Sequence, residues 1–256
     1  DDGFESVGFR VLYDALEAVG DVTAVAPMAD QSAVGRAISS EVTVHEYDLG
    51  YVVEGTPADC VVAGLQALVP DVDLVIAGCN EGANLGAYVL GRSGTISAAV
   101  EATFFDVPAI AVSMYIPVPE DVTFQEIDID AEQYEEAARA TTYLAERTPK
   151  SGVFEECDYL NVNAPVAEEG PAPIRVTEPS TVYEMDATRD GGTVTLHDRI
   201  WQRMANDEAP DRPGTDRHAV LDGAVSVSPL TAPHTVRDPQ ALQALAAEYS
   251  SASDSP

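Results

Sequence analysis

The spacing of apolar residues in the first half of the chain alternates between a helical period and the pattern of short strands. From Val7 to Val19 apolar positions recur every three or four residues and stop at Gly20, which predicts a helix over this stretch. The segments predicted as strands are "DVTAVAP", "VTVHEY", "YVVEG", "DLVIAG" and "VPAIAVSM", and the last two are apolar enough to be buried on both faces. Helices are predicted in "GTPADCVVAGLQAL", with Thr56 as N-cap and Pro57 at the first helical position, and in "SGTISAAVEATFF".

Strands that alternate with helices indicate the fold class. We expect an α/β fold with a doubly wound, mostly parallel, Rossmann-like sheet and helices on both of its faces. The first predicted helix has no strand ahead of it, so we also expect that the first strand of the sheet is missing before Asp1.

The pattern changes after Met114, which predicts two regions. Residues 1–118 are expected to form the Rossmann-like core with the metal and phosphate site, and residues 119–256 a smaller α+β and hairpin elaboration. The elements expected in the second region are an acidic amphipathic helix over 131–147, a strand in "YLNVNAPV", hairpin-like segments at 174–178 and 193–201, further β structure in "AVLDGAVSVSPL", and a last helix in "PQALQALAAEYS".

The net charge is the strongest compositional feature. The chain has 44 Asp and Glu against 13 Lys and Arg, a net charge of −31, and Lys150 is its one lysine. Because 45% of the residues are hydrophobic, the acids are expected to cover a folded surface rather than cause disorder. Such a surface is typical of a salt-accumulating (halophilic) cytoplasm, where salt screens the repulsion, and it disfavours duplex nucleic acid as a partner.

Membrane spans, secretion signals and disulfides are not expected. No run of about 18 apolar residues occurs, and no basic stretch followed by an apolar stretch opens the chain. The three cysteines show no CxxC spacing, so we expect small buried side chains in a reducing compartment.

Oxygen-bearing side chains follow several of the predicted strands. They are Asp1 and Asp2, then Asp30, Gln31 and Ser32, then Asn80, Glu81 and Asn84. Because ligands of open α/β sheets bind at the carboxyl ends of the strands, these loops are expected to meet there. Carboxylate, amide and hydroxyl oxygens suit a hard divalent cation, Mg²⁺, Mn²⁺ or Ca²⁺, better than zinc. Ser93, Gly94 and Thr95 open a predicted helix, whose free N–H groups favour a phosphate.

Each of these signals also has a simpler interpretation. The paired acids suit a solvated tail, and the Asp-Gln-Ser and Asn-x-Gly-x-Asn stretches suit turns. Neither a GxxxxGK[ST] motif nor a dinucleotide fingerprint is present, which argues against P-loop and redox Rossmann enzymes.

The order of the motifs is more specific than any one of them. "DDG", "APxxxQSxVGxxIS", "GTPADCV", "DLVIAGxNxGANLG", "SGTxxAA" and "VPAIAVS" follow one another, and "LNVNAP", "GTDRHAVLDGAVSVSPL" and the segment around Trp201 come later. Over nearly its whole length the chain resembles the SurE survival-protein nucleotidases.

The resemblance implies an activity and a site. It implies a metal-dependent phosphatase that hydrolyses nucleoside 5′- and 3′-monophosphates, with one Mn²⁺ or Mg²⁺ per subunit. It implies a homodimer or tetramer formed through an extended hairpin and C-terminal exchange. The metal ligands carried over from the family motifs are Asp1, Asp2, Ser32 and Asn80.

The chain also departs from the family pattern. The family usually has aspartate at Met28, glycine at Ala33 and histidine near Arg36, and often isoleucine at Cys79 and tyrosine at Arg92. None of these differences removes a ligand, so they bear on substrate preference and phosphate contacts. Arg36 itself suits either a phosphate contact or a salt bridge, and so acidic a chain favours the salt bridge.

The expected mechanism is hydrolysis by water. The cation binds the phosphate and lowers the pKa of a bound water, which attacks phosphorus in line with Asp1 or Asp2 as proton acceptor. Asn84, Ser93, Gly94 and Thr95 are expected to hold the phosphoryl oxygens. Two alternatives stay open: a nucleotide-binding regulator that keeps the fold and metal without turnover, and an oligomeric interaction protein without metal affinity.

Overall fold

The structure is a computed structural model that describes residues 1–117, 129–166, 170–206, 208–232, 234, 240 and 242–243. The predicted helix in "PQALQALAAEYS" lies almost entirely outside the described residues. Within the described residues, no helix is both long and apolar enough to cross a bilayer.

The larger sheet has five strands in the order β4-β5-β6-β10-β7. Their bounds are Val75–Glu81 (β4), Ala109–Tyr115 (β5), Tyr159–Pro165 (β6), Ile174–Val176 (β7) and Val225–Leu230 (β10). The β4-β5, β5-β6 and β10-β7 pairs are parallel and β10-β6 is antiparallel, so the sheet is mostly parallel. Strands from both predicted regions, 1–118 and 119–256, therefore share this sheet.

Two smaller sheets accompany it. The first has the order β1-β3-β2, from Ala24–Pro27 (β1), Thr43–Tyr47 (β2) and Gly50–Glu54 (β3), with β1 and β3 parallel. The second is an antiparallel hairpin of Met185–Asp190 (β8) and Thr193–Asp198 (β9).

The helices lie mostly between strands in sequence. They are Val7–Leu16 (α1), Pro57–Ala63 (α2), Gly94–Thr103 (α3), Glu135–Ser151 (α4), Val153–Glu156 (α5), Arg199–Ala205 (α6) and Asp216–Leu221 (α7). A π-helical turn, Gly64–Leu68, continues α2, and a 3₁₀ turn, Ala131–Tyr134, precedes α4. The predicted cap of α2 is confirmed, because the Thr56 side chain accepts a hydrogen bond from the Asp59 N–H.

Helices cover both faces of the large sheet. On one face, Leu12 of α1 and Leu144 of α4 belong to the same core as Ile110 of β5. On the other face, Ile96 of α3 packs with Ala109 and Ala111 of β5. Successive strand residues point to opposite faces, so this division confirms the predicted α/β, doubly wound fold class.

Strand β4 differs from its prediction in two ways. It extends through Glu81, so Asn80 and Glu81 lie on the strand and not in the loop after it. Residues Val75–Gly78 are only partly buried, because β4 is at the end of the sheet order and pairs, among the described strands, with β5 alone. The expectation of a strand buried on both faces was therefore wrong here, whereas all seven residues of β5 are buried.

Two boundaries and one strand in the second region also differ from the prediction. Residues 199–201, predicted as part of a hairpin-like segment, begin helix α6, where the Asp198 side chain accepts a hydrogen bond from the Ile200 N–H. Residues 219–221, predicted as β structure, complete α7. Strand β8 has no counterpart in the prediction, because its side chains are mostly exposed and show no apolar alternation.

Candidate active site

The predicted ligands come together at the carboxyl edge of the sheets. Asp1 and Asp2 precede α1, the loop that carries Ser32 follows β1, and Asn80 lies at the carboxyl end of β4. The N-terminus of α3 lies at the same edge, because its Gly94 N–H and Thr95 hydroxyl donate hydrogen bonds to Asp1. This is the edge where open α/β sheets bind ligands.

Asp1 lies against the first turn of α3. Its Oδ2 accepts a hydrogen bond from the Gly94 N–H at 3.1 Å, and its Oδ1 accepts one from the Thr95 hydroxyl at 2.8 Å. A Cβ added at Gly94 would stand 2.7 Å from the Asp1 Cβ, so only glycine permits this approach. The positive end of the α3 dipole further stabilises the carboxylate.

Thr95 joins Asp1 to Asn80. Its buried hydroxyl, besides bonding Asp1, lies 3.3 Å from the Asn80 Oδ1. The Asn80 side-chain amide donates in turn to the Gly82 carbonyl, which orients the amide oxygen toward Thr95. The carboxylate of Asp1 and the amide oxygen of Asn80 therefore both lie within 3.3 Å of the Thr95 Oγ1.

Asp2 is held by the end of β4. Its Oδ2 accepts a hydrogen bond from the Glu81 N–H at 2.7 Å, whereas its Oδ1 accepts none from the described residues. Burial raises the pKa of Asp2, and the negative charge of Asp30 adds to the rise. One acid beyond the predicted ligands, Asp30, therefore contributes to the electrostatics of Asp2.

Glu81 is the acid that sequence reasoning left out of the predicted ligand set. The Tyr134 hydroxyl donates to its Oε2 at 3.1 Å, and burial, with the charges of Asp2 and Asp30, raises the pKa of Glu81. Its position directly after Asn80 is the sequence signal that could have included it. The site is thus more acidic than the two leading aspartates alone make it.

Ser32 is connected to the other ligands through its loop. The Gln31 N–H donates to the Asp1 carbonyl at 2.8 Å, which fixes the loop beside Asp1. The Ser32 hydroxyl itself donates to Asp30 Oδ1 at 2.6 Å. The structure therefore places Ser32 beside the site, with its hydroxyl hydrogen turned toward Asp30 and its oxygen lone pairs left for a ligand.

All four predicted phosphate-binding residues are engaged within the protein: Gly94 and Thr95 donate to Asp1, and Asn84 and Ser93 have other partners. The Asn84 side-chain amide donates to Ser113 Oγ at 2.8 Å, and its backbone bonds to Asn161 and Asn163, all in a buried layer. The Ser93 hydroxyl accepts from the Ile96 N–H as the N-cap of α3. A phosphate contact from either side chain stays a prediction, and the structure gives both a role in holding the site together.

The donor set fits a hard divalent cation. The described residues contain no group of three or more His, Cys, Asp or Glu side chains suited to hold a metal ion. The candidate set instead combines two carboxylates with an amide and a hydroxyl oxygen, and Mg²⁺ in proteins uses one or two carboxylates and keeps several waters. Asp2 is partly buried, its Oδ1 accepts no hydrogen bond from the described residues, and its pKa is raised, and a nearby cation would favour its charged form.

Arg36, the histidines and the cysteines have other roles in the described structure. Arg36 pairs with Glu101 at 2.8 Å, which confirms the salt-bridge interpretation. His45 bonds Glu54, and His197 bonds Thr188, both on strands away from the site. The three cysteines are free and buried, as predicted.

Comparison with known proteins gives concordant results. The family model described as "Survival protein SurE" matches residues 1–186. The chain is 70% identical over 249 residues to a 5′-nucleotidase SurE of Haloarcula marismortui, covering 97% of this chain and 93% of that protein. It is 62% identical over 250 residues to the 5′-nucleotidase SurE of Haloquadratum walsbyi, covering 97% and 94%. The crystal structure of the SurE protein from Aquifex aeolicus superposes with a TM-score of 0.79 at 31% identity, covering 96% of this chain and 97% of that one.

Proposed function

This chain belongs to the survival protein SurE family, and from that premise we propose that it is a divalent-metal-dependent 5′-nucleotidase. The observation that carries the proposal is the convergence of the Asp1 carboxylate and the Asn80 amide oxygen on the Thr95 hydroxyl, at the N-terminus of α3. The relatives named 5′-nucleotidase SurE support the reaction class.

The reaction is hydrolysis of a phosphate monoester. The oxygen of a water molecule bonds to phosphorus as the bond between phosphorus and the ribose oxygen breaks. The water gives up a proton, the ribose oxygen takes one, and the nucleoside and inorganic phosphate leave. We extend the proposal to nucleoside 3′-monophosphates, as the resemblance of the sequence implies.

Asp1, Asp2, Ser32 and Asn80 would hold one Mn²⁺ or Mg²⁺. When bound, such a cation supplies positive charge to the phosphoryl oxygens and lowers the pKa of a coordinated water. The hydrogen bonds of the two carboxylates indicate which of them accepts the proton of the attacking water. Both oxygens of Asp1 already accept hydrogen bonds, whereas Asp2 keeps one oxygen free, so Asp2 is the better placed proton acceptor.

The wider setting is also part of the proposal. A surface with a net charge of −31 suits a cytoplasm rich in salt, and it repels duplex nucleic acid and anionic membranes. The SurE resemblance supports a homodimer or tetramer. The substrate is a small phosphate ester, for which the local cation compensates the negative field.

Phosphate release from a panel of nucleoside monophosphates, at high salt with Mn²⁺, Mg²⁺ or EDTA, tests the proposal. We expect turnover with at least one of the two metals and none with EDTA. Nucleotide binding without phosphate release under every metal condition would instead establish the regulatory alternative.

The Asp1→Asn variant tests the site itself. Loss of the charge at this position should lower kcat by about 10³-fold or more, because the amide cannot replace a carboxylate ligand at the α3 terminus. An exposed control, Asp21→Asn, should keep the wild-type rate. Near-normal rates for Asp1→Asn, with an unchanged circular dichroism spectrum, would refute the assignment.

A further inference from the structure

The side chains of Arg92, Tyr88 and Tyr183 form a cluster beside the candidate site, called the platform. Its guanidinium carbon lies 5.1 Å from the ring centre of Tyr88 and 5.9 Å from that of Tyr183. The Arg92 Nη2 also donates to the Tyr183 hydroxyl at 3.3 Å. The two rings meet edge to face with their centres 5.1 Å apart, so the three groups hold one another in place.

Among the arginines that the structure describes, Arg92 is one of three that pair with no carboxylate, together with Arg10 and Arg189. Among the described residues, eight arginines pair with a carboxylate: Arg36, Arg139, Arg147, Arg175, Arg199, Arg203, Arg212 and Arg217. Arg92 has only the two tyrosines, in a chain with 44 acids for 13 basic residues. Its guanidinium therefore keeps its charge and part of its planar face for another group.

The platform borders the phosphate end of the site. Arg92 directly precedes Ser93, the N-cap of α3, and its carbonyl accepts a hydrogen bond from Gly35 in the loop that carries Ser32. The Tyr88 hydroxyl donates to Asp198 at 2.8 Å, which anchors the ring from behind. Arg92 is exposed and Tyr183 is 54% exposed, so the outer side of the platform is open to a ligand.

We propose that Arg92 and Tyr183 bind the nucleobase of a nucleoside monophosphate by stacking, and so determine preference among phosphate monoesters. Planar guanidinium and tyrosine groups are general stacking partners of bases, and one ribose separates the base from the phosphate at α3. Purines offer the larger ring, so purine nucleotides gain more than pyrimidine nucleotides. The inference rests on the proposed function for the position of the phosphate.

The test compares AMP with ribose 5-phosphate, which has the same phosphate and sugar but no base. For wild type and for Arg92→Ala, kcat/KM for hydrolysis and Kd by calorimetry are measured on both compounds with Mn²⁺ at high salt. In Arg92→Ala we expect kcat/KM for AMP, divided by kcat/KM for ribose 5-phosphate, to fall about tenfold. The Kd for AMP, divided by the Kd for ribose 5-phosphate, should rise about tenfold. Arg147→Ala is the matched control, since Arg147 is also exposed and stacks on a tyrosine, Tyr143, but on α4. It should keep the wild-type ratio.

Arg92→Lys separates charge from stacking, because lysine keeps the charge without the planar face. The inference requires that this variant also lose the preference for AMP. It is overturned if Arg92→Lys keeps the wild-type ratio, if Arg92→Ala leaves the ratio unchanged, or if both compounds weaken equally. Should wild type hydrolyse neither compound, the proposed function fails, while the ratio of Kd values still decides whether the platform binds the base.

Discussion

At the scale of single residues, the hydroxyl of Thr95 is the contact that unites the candidate ligands. Thr95 is 1% exposed, and its hydroxyl donates to Asp1 Oδ1 at 2.8 Å and lies 3.3 Å from Asn80 Oδ1. Valine has the same shape without the hydroxyl, so Thr95→Val should leave the fold intact and free both oxygens to turn away from each other. We expect the Mn²⁺ concentration for half-maximal activity to rise about tenfold or more, as for other partners that orient metal ligands.

Thr95→Ser is the matched control for this prediction. Serine keeps the hydroxyl, so its Mn²⁺ requirement should stay close to that of wild type. Activity measured against Mn²⁺ concentration for the two variants compares them directly. If valine and serine gave the same titration, the hydroxyl would have no part in orienting the ligands.

The sequence was sufficient to predict that these candidate residues lie together, but not their side-chain contacts. The rule that strand ends share one edge brought Asp1, Asp2 and Asn80 together correctly. It could not show that the Asn84 side chain turns inward, because its partner Ser113 is 29 residues away in the sequence. Asn163, whose Oδ1 accepts from the Asn84 backbone N–H, is 79 residues away. Hydrogen bonds between distant segments leave no local pattern.

At the scale of elements, the start of α2 fixes the loop that carries Ser32. Asp59 is buried, and its carboxylate accepts hydrogen bonds from the N–H groups of Ser39 and Thr56 and from the Ser39 hydroxyl. Burial alone would raise the pKa of Asp59, but these hydrogen bonds outweigh it and lower the pKa below its ordinary value. The carboxylate form therefore ties the loop to the helix.

Asp59→Asn should lower the free energy of unfolding by about 2 kcal/mol at neutral pH. The side-chain NH₂ of asparagine would face the donors of Ser39 or Thr56, and those hydrogen bonds would be lost. A carboxyl with a lowered folded-state pKa stabilises the fold above its unfolded pKa of about 3.9 and loses that contribution as pH falls through the folded pKa. The difference between wild type and variant should therefore shrink below about pH 4. Urea unfolding from pH 3 to pH 8 measures it.

Asp21→Asn, an exposed substitution, is the control and should show almost no difference at any pH. A deficit in Asp59→Asn that stayed constant from pH 8 to pH 3 would contradict the role of the charged form. Lower activity beside the lower stability would in addition link the cap of α2 to the position of Ser32.

Elements were predictable where the apolar period was strong and uncertain where a local contact decides the structure. Strand β5 and helix α3 have long apolar patterns, and both lie where they were expected. Helix α6 has seven residues, so it depends on the Asp198 cap and on burial of Ile200 and Met204. Strand β8 has the polar sequence "MDATRD", which gives no strand signal, and it forms by pairing with β9.

At the scale of the whole molecule, a conventional α/β core carries an extreme surface charge. The two main core clusters consist of apolar residues of β5, β6 and the helices, as in other proteins of this class. The 44 acids against 13 basic residues mean that most carboxylates cannot have a basic partner. Their mutual repulsion is larger in the compact state than in the unfolded chain, so the fold depends on screening by salt.

Lowering KCl from about 2 M to 0.1 M should therefore destabilise the protein strongly. The screening length grows from less than 3 Å to about 10 Å, which brings neighbouring surface carboxylates within range of one another. We expect a fall in Tm of roughly 10 °C or more, which for a chain of this size corresponds to about 3 kcal/mol or more. Thermal melts followed by circular dichroism, with EDTA throughout to exclude binding at the metal site, measure the effect.

A non-ionic osmolyte separates screening from the general exclusion of solutes that also favours compact states. Sucrose at the same osmolarity as 2 M KCl should recover only a small part of the lost Tm, whereas NaCl should recover most of it. An equal Tm at 0.1 M and 2 M KCl, or full recovery by sucrose, would show that repulsion among the carboxylates does not limit stability. The same melts identify the salt range in which the nucleotidase assays report on a folded protein, because below it an inactive Asp1→Asn variant could not be distinguished from an unfolded one.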